Sequence, residues 1–277
     1  MNAIIAVGAL GGSGTRAVAQ VLIESGVYMG DDLNRPNDNL IFTRLFKNPK
    51  WYKNSRQSLV NMRLAILKEY MGNDTLTLKN ATELVKAAIY NPTFTSNYAF
   101  YLKVIRKILN DKKDRKLWGW KEPNTHIYIQ DLINYFDNFK YIHVLRHGLD
   151  MAFSKNKQQL YNWGYKYNIC LNGIENEDEV AYNQLVYWIK STQEVLEKSQ
   201  ALGDNFLLLN HSTFCEKPKE QIKRIIDFLG FEKGREELAQ LASIPNTPST
   251  LNRYRHFNIE IFDKEQIEFV KEMDFKV

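Results

Sequence analysis

Two segments of this chain carry residue types and spacings that suit the binding of an anionic group. The first is Gly8-Ala9-Leu10-Gly11-Gly12-Ser13-Gly14-Thr15-Arg16, which follows a wholly apolar run and precedes Ala17, Val18, Val21 and Leu22 at helical spacing. A glycine-rich turn at a helix N-terminus offers unpaired amides and the positive end of the helix dipole, and glycine lets a phosphate or sulfate come close. Such turns also occur without ligands. The second segment is Val144-Leu145-Arg146-His147-Gly148-Leu149-Asp150-Met151-Ala152-Phe153-Ser154. It reads as a buried strand ending in Arg146, a turn, and a helix carrying Ser154. A guanidinium fork and a hydroxyl placed in this way could hold one phosphate between them. The same spacing also describes a surface ion pair beside an ordinary helix serine.

The elements that must position these residues alternate in type. Residues 3–7, 116–120, 141–145 and 205–209 are short apolar runs of strand character, each followed by a helical pattern, as expected for a parallel sheet with crossover helices. Residues 40–110 break the alternation with helical patterns near 59–70, 81–90 and 98–109 and little strand signal. One helix is expected over 213–229, capped by Ser212 or Thr213 with Glu216 as capping-box partner and closed by Gly230. The expected architecture is a three-layer, P-loop-like α/β fold: a central parallel sheet flanked by helices, with a helical insertion at about 40–110, in a single domain spanning 1–277.

Composition limits the function classes. The 277 residues include 37 Lys and Arg against 32 Asp and Glu, a net charge of +5 that suits an anionic small ligand and does not call for nucleic acid. Cys170 and Cys215 form neither a disulfide framework nor, with histidine, a metal-binding spacing, so no metal site is expected. The apolar run at the N-terminus is too short to span a bilayer and has no basic leader, so a cytoplasmic protein without a membrane span is expected. The glycine-rich loop has no Lys before its Ser or Thr, and the Gly-x-Gly-x-x-Gly pattern fails, which argues against ATP, GTP and NAD.

Taken together, the two segments resemble the sulfotransferase superfamily, most closely its tyrosylprotein or Golgi-type and bacterial members. Gly12-Ser13-Gly14-Thr15 matches the family's 5′-phosphosulfate loop, and Arg146 with Ser154 matches its 3′-phosphate motif. Trp118-Gly119-Trp120-Lys121-Glu122-Pro123 is similar to the family's Lys-x-Pro segment, and Leu209-Asn210-His211-Ser212 through Gly230 to its later strand–helix unit. Arg253-Tyr254-Arg255 sits where members close a basic loop over the nucleotide. The resemblance implies 3′-phosphoadenosine-5′-phosphosulfate as donor and adenosine 3′,5′-bisphosphate as product. It implies that Gly11, Gly12, Ser13, Gly14, Thr15, Arg16, Arg146, Ser154, Arg253 and Arg255 bind the nucleotide.

By the same resemblance Lys121 serves the leaving group, and its strand should end at the same sheet edge as the loop. Asp32, in Gly30-Asp31-Asp32, is the first candidate for the base and Asp31 the second, because they match an acidic segment of the tyrosylprotein members. His126 is a rival, since cytosolic members use a histidine, and Glu122 is a weaker candidate. The acceptor is left open among carbohydrate, phenol and small metabolite. One departure stands out: Gly12 occupies the position of the family's basic loop residue, with Arg16 the nearest replacement. A catalytically weak nucleotide-binding protein of the same fold and a P-loop-like phosphotransferase are therefore the alternatives.

Overall fold

The computed structural model describes residues 3–91, 98–110, 115–171, 173 and 176–277. Its sheet is parallel throughout, in the order β2-β1-β3-β4, with β1 (Ala3–Ala9), β2 (Leu117–Lys121), β3 (Phe139–Leu145) and β4 (Phe206–Asn210). The chain leaves β1 toward one side and returns on the other, so the carboxyl end of β1 lies at the switch point where open parallel sheets bind ligands.

Strand alternation divides the core into two layers. Ile5, Val7 and Ala9 of β1 and Ile142 and Val144 of β3 pack with Val18, Val21 and Leu22 of α1 (Thr15–Glu24). Ala6, Trp120, Phe139 and Tyr141 face the other layer. That layer is built largely by the insertion: α2 (Leu40–Phe46), α3 (Pro49–Asn54), α4 (Gln57–Met71), α5 (Leu78–Ile89) and α6 (Tyr98–Asn110). Aromatic rings dominate the join. Phe42 stacks on Trp120 at 5.4 Å, and Phe46 meets the edge of Tyr128 at 4.9 Å. Asn39 secures the start of the insertion, because its side chain caps α2 by accepting from the Phe42 amide while its own N–H donates to the Lys121 carbonyl at 2.8 Å.

Beyond β2 the chain forms a 3₁₀ turn (Pro123–Tyr128) and α7 (Ile129–Tyr135), and beyond β3 come α8 (Gly148–Ala152), α9 (Gln158–Trp163) and the long α10 (Glu177–Ser199). The helix expected over 213–229 is two: α11 (His211–Glu216) and α12 (Pro218–Leu229). Pro218 separates them, since it has no N–H to continue α11 and suits the first turn of α12. Asn210 is the cap in place of Ser212 or Thr213, accepting from the amides of both. Gly230 closes α12 at φ 72° as expected. After α13 (Arg235–Leu241) and a long loop, a 3₁₀ turn (Arg253–His256) and α14 (Lys264–Glu272) complete the described chain.

The β1–α1 turn places Gly12 at φ 91° and Gly14 at φ 78°, and Gly14 caps α1 without any side chain over the first amides. A methyl group at Gly12 would meet nothing within 4 Å, whereas one at Gly14 would lie 2.0–2.1 Å from the His211 ring. Gly12→Ala is therefore expected to cost roughly 1–2 kcal/mol of left-handed backbone strain alone. Gly14→Ala adds overpacking of about 1–3 kcal/mol to the same strain. Denaturant unfolding of both variants checks the order, and equal losses would show that His211 yields freely.

Under this turn His126 and His143 lie 6.2 Å apart, both buried, with His143 Nδ1 at 2.8 Å from the Tyr141 hydroxyl. Burial pushes His126 down to about 4 and His143 down to about 3, the latter helped by its neighbour His126. The unfolded chain takes protons near pH 6.5 that the folded one refuses, so stability present above about pH 6.5 is lost as pH falls toward 4. The slope is up to about 1.4 kcal/mol per pH unit for each imidazole. Glu122, pushed up to about 6 by burial, offsets part of this. His143→Phe is expected to flatten the loss when unfolding is measured between pH 7 and 4.5.

Candidate functional site

The four described strands lead to the same edge of the sheet, where three of them deliver a polar side chain and the first a glycine loop. The β1 loop brings Gly12 and Gly14, β2 ends in Lys121, β3 leads into Arg146, and β4 leads into His211. Two cavities open there and share the loop residues Gly12, Gly14 and Arg16 as a common wall.

The larger cavity, about 570 Å³, is lined by Arg146, Arg16, Arg35 and His211, with Ala17, Phe214, Ile244 and Pro245 as its apolar surface. Arg146 is buried, and burial lowers its affinity for the proton while Asp150 restores part of it. Its guanidinium donates to the Gly12 carbonyl at 2.7 Å and to the Thr250 carbonyl and hydroxyl at 2.8 Å each. The arginine thus links the glycine loop to the C-terminal loop. Asp150, fully buried, holds that C-terminal loop by accepting from the amides of Asn252 and Tyr254. Arg253 comes close enough to Arg146 for its charge to disfavour protonation there, whereas Arg255 is exposed and lies 5.9 Å above the Tyr254 ring.

His211 packs over Gly14, is pushed down to about 4 by burial and by Arg146, and has no hydrogen-bond partner at Nδ1 among the described residues. Ser154 departs from its expected place. The helix α8 stops at Ala152, so Ser154 lies beyond it, accepts from the Asn156 amide, and lines a different cavity with Lys157, Tyr161 and Phe257.

The second cavity, about 350 Å³, is lined by the loop with Lys47, Lys121, Asp38, Asn124, Asn156 and Gln158. Lys121 is almost wholly buried, and its ammonium donates to Asp38 Oδ1 at 2.5 Å and to the Pro36 carbonyl at 2.9 Å. Glu122 also borders this cavity, with its two oxygens accepting from the backbone and side-chain amides of Asn124. Arg16, exposed on the first turn of α1, lines both cavities, so a cation four residues beyond Gly12 reaches the region from the helix.

Of the candidate bases only Glu122 lines the cavity that Lys121 borders among the described residues; Asp32, Asp31 and His126 do not. The Asp32 carboxylate is buried between Arg44 and Lys103, 2.6 Å from the latter. Asp31 accepts from the Tyr70 hydroxyl at 3.3 Å and lies 3.9 Å from Lys107. His126 faces the Pro123 carbonyl at 2.9 Å and the Tyr187 hydroxyl at 3.4 Å. Reasoning from sequence missed Asp38, Asp150 and His211. Only Asp150 left a signal, one helical turn beyond Arg146. Among the described residues no group of three or more His, Cys, Asp or Glu could hold a metal ion, and no helix is long and apolar enough to cross a membrane.

No curated protein matches the chain. Among solved structures, the sulfotransferase domain of the Synechococcus PCC 7002 olefin synthase shares the fold at TM-score 0.51 and 15% identity, over 100% of this chain and 96% of that one. The sulfotransferase domain of the curacin biosynthetic pathway does so at TM-score 0.53 and 14% identity, over 100% and 99%. Retinol dehydratase in a complex with retinol and PAP gives TM-score 0.50 and 16% identity, over 99% and 82%. The model of the sulfotransferase family matches residues 5–234, and with most of its length inside that match the chain belongs to the sulfotransferase family.

Proposed function

We propose that the protein transfers a sulfonyl group from 3′-phosphoadenosine-5′-phosphosulfate to a hydroxyl or amine of a hydrophilic acceptor. The observation that carries this reading is the shared wall: one glycine loop at a helix N-terminus separates a cavity with an arginine and an apolar surface from a cavity with a buried lysine. A donor with a nucleoside bisphosphate at one end and a sulfonyl group at the other suits such a pair. The family membership and the PAP-bound neighbour support the same donor.

In this reading Ala17, Phe214, Ile244 and Pro245 take the nucleoside, and Arg146, reinforced by Arg253, takes the 3′-phosphate. Amides of the loop and the first turn of α1 bind the 5′ end, with Arg16 supplying the charge that Gly12 cannot. Lys121 balances the charge that builds up on the leaving phosphate oxygen, an electrostatic role suited to a site partly closed to water. Asp32, tied to Arg44 and Lys103, braces the insertion against the loop after α1. Ser154 is left to orient residues 154–156 in place of touching the 3′-phosphate.

The second cavity supports a hydrophilic acceptor. Apart from two prolines its lining side chains among the described residues are amides, charges and a threonine, with no aromatic or branched aliphatic group. A sugar-like acceptor can satisfy these groups, whereas an apolar ring would leave them buried without partners.

Adenosine 3′,5′-bisphosphate is expected to raise the melting temperature, contributing about 2.7 kcal/mol at a hundredfold excess over its dissociation constant, while magnesium ATP does far less. An unchanged melting temperature with no heat of binding would overturn the donor assignment. Arg146→Ala should weaken the bisphosphate by about 1.5–3 kcal/mol more than it weakens adenosine 5′-phosphosulfate, which has no 3′-phosphate. Equal losses would move the 3′-phosphate site elsewhere. Radiolabelled sulfonyl transfer should favour amino sugars over phenols and sterols, and the reverse preference would refute the acceptor class.

A further inference from the structure

Lys121 carries a charge that the fold has buried at the end of β2, with side-chain exposure of 3%. A buried ammonium requires a close counter-charge. Here that is Asp38, and Asp38 is itself well held: its Oδ2 accepts from the Asn34 side-chain amide at 2.8 Å, and its backbone N–H donates to Asn34 Oδ1 at 2.7 Å. The turn thus presents one carboxylate that both faces Lys121 and borders the cavity shared with the glycine loop, at 20% side-chain exposure.

The other carboxylates nearby are committed elsewhere. Glu122 spends both oxygens on Asn124 as the cap of the 3₁₀ turn, and Asp32 spends both on Arg44 and Lys103. Asp38 differs from both, because its partner is the lysine that the leaving group needs. From this arrangement, and resting on the sulfonyl-transfer reading, we propose that Asp38 is the general base and that Lys121 holds it inactive until the donor binds.

The donor's negative charge competes for Lys121 and draws the ammonium away from Asp38. The carboxylate oxygen that had faced Lys121 is then open to the acceptor O–H. The acceptor O–H proton passes to Asp38, the acceptor oxygen forms the new S–O bond, and the S–O bond to phosphate breaks. Its electron pair stays on the phosphate oxygen of adenosine 3′,5′-bisphosphate, beside Lys121. Water in place of the acceptor gives sulfate by the same balance.

A double-mutant cycle on bisphosphate affinity tests the gate without any need to know the acceptor. Calorimetry is expected to show adenosine 3′,5′-bisphosphate binding roughly threefold or more tightly to Asp38→Asn than to the parent, with the gain absent when Lys121→Met is also present. The double variant removes both buried charges, which keeps the comparison available if Asp38→Asn folds poorly. Release of labelled sulfate or transfer to an amino sugar should fall 10²–10⁴-fold in Asp38→Asn and recover in part in Asp38→Glu. Unchanged bisphosphate affinity across the cycle overturns the gate. Turnover retained in Asp38→Asn but lost in Asp32→Asn overturns the base. Failure of the parent to bind the bisphosphate strikes the donor reading itself, and is distinct from both.

Discussion

The guanidinium of Arg146 is the contact on which the site's architecture depends. It is buried, and it joins the loop after β1 to the loop before the C-terminal 3₁₀ turn through two backbone carbonyls. A cation in that position is costly unless it is partnered, and here two backbone carbonyls, a hydroxyl and Asp150 serve its terminal nitrogens, while Nε has no hydrogen-bond partner among the described residues. Asp150 also anchors the amides of Asn252 and Tyr254, so one turn of α8 orders the arginine and the loop that covers it. An anion entering the larger cavity therefore meets a cation already oriented by the fold, which limits the reorganisation that binding requires.

The opposite side of the loop is organised by a different kind of constraint. The insertion is fastened by aromatic packing on Trp120, by the Asn39 bridge to the Lys121 carbonyl, and by the ion pairs of Asp32. The first two join the insertion to β2 and the ion pairs join it to the segment that follows α1, so together they determine where the Asn34 turn stands over β2. The aromatic layer thereby reaches the chemistry through backbone position, without any of its rings touching the loop cavities.

Much of the fold was legible because its signals are local. The apolar run of β1, the glycines, and the apolar spacing of α1 are read within twenty residues, and the same holds for Gly230 at the end of α12. The division of 211–229 was misread because Pro218 was overlooked as a break and Asn210 as a cap, although both are visible in the sequence. The carboxylates were harder for a physical reason. An aspartate's role is set by which cations approach it, and Asp32 meets Arg44 and Lys103 while Asp38 meets Lys121 across 83 residues of chain. No spacing rule encodes that choice. Ser154 was misplaced by a helix that ends two residues sooner than its pattern suggested.

The left-handed backbone at Gly12 has a consequence for how charge is distributed in the site. A basic side chain is disfavoured there, and the loop's own cation is Arg16, which is exposed on the first turn of its helix. Arg146 and Lys121 act from buried positions that mobile ions screen poorly, whereas a charge at the surface is attenuated within a Debye length of about 8 Å in physiological salt. Ionic strength thus acts on the cations around the loop unequally, weakening the field of Arg16 while leaving those of Arg146 and Lys121 nearly untouched.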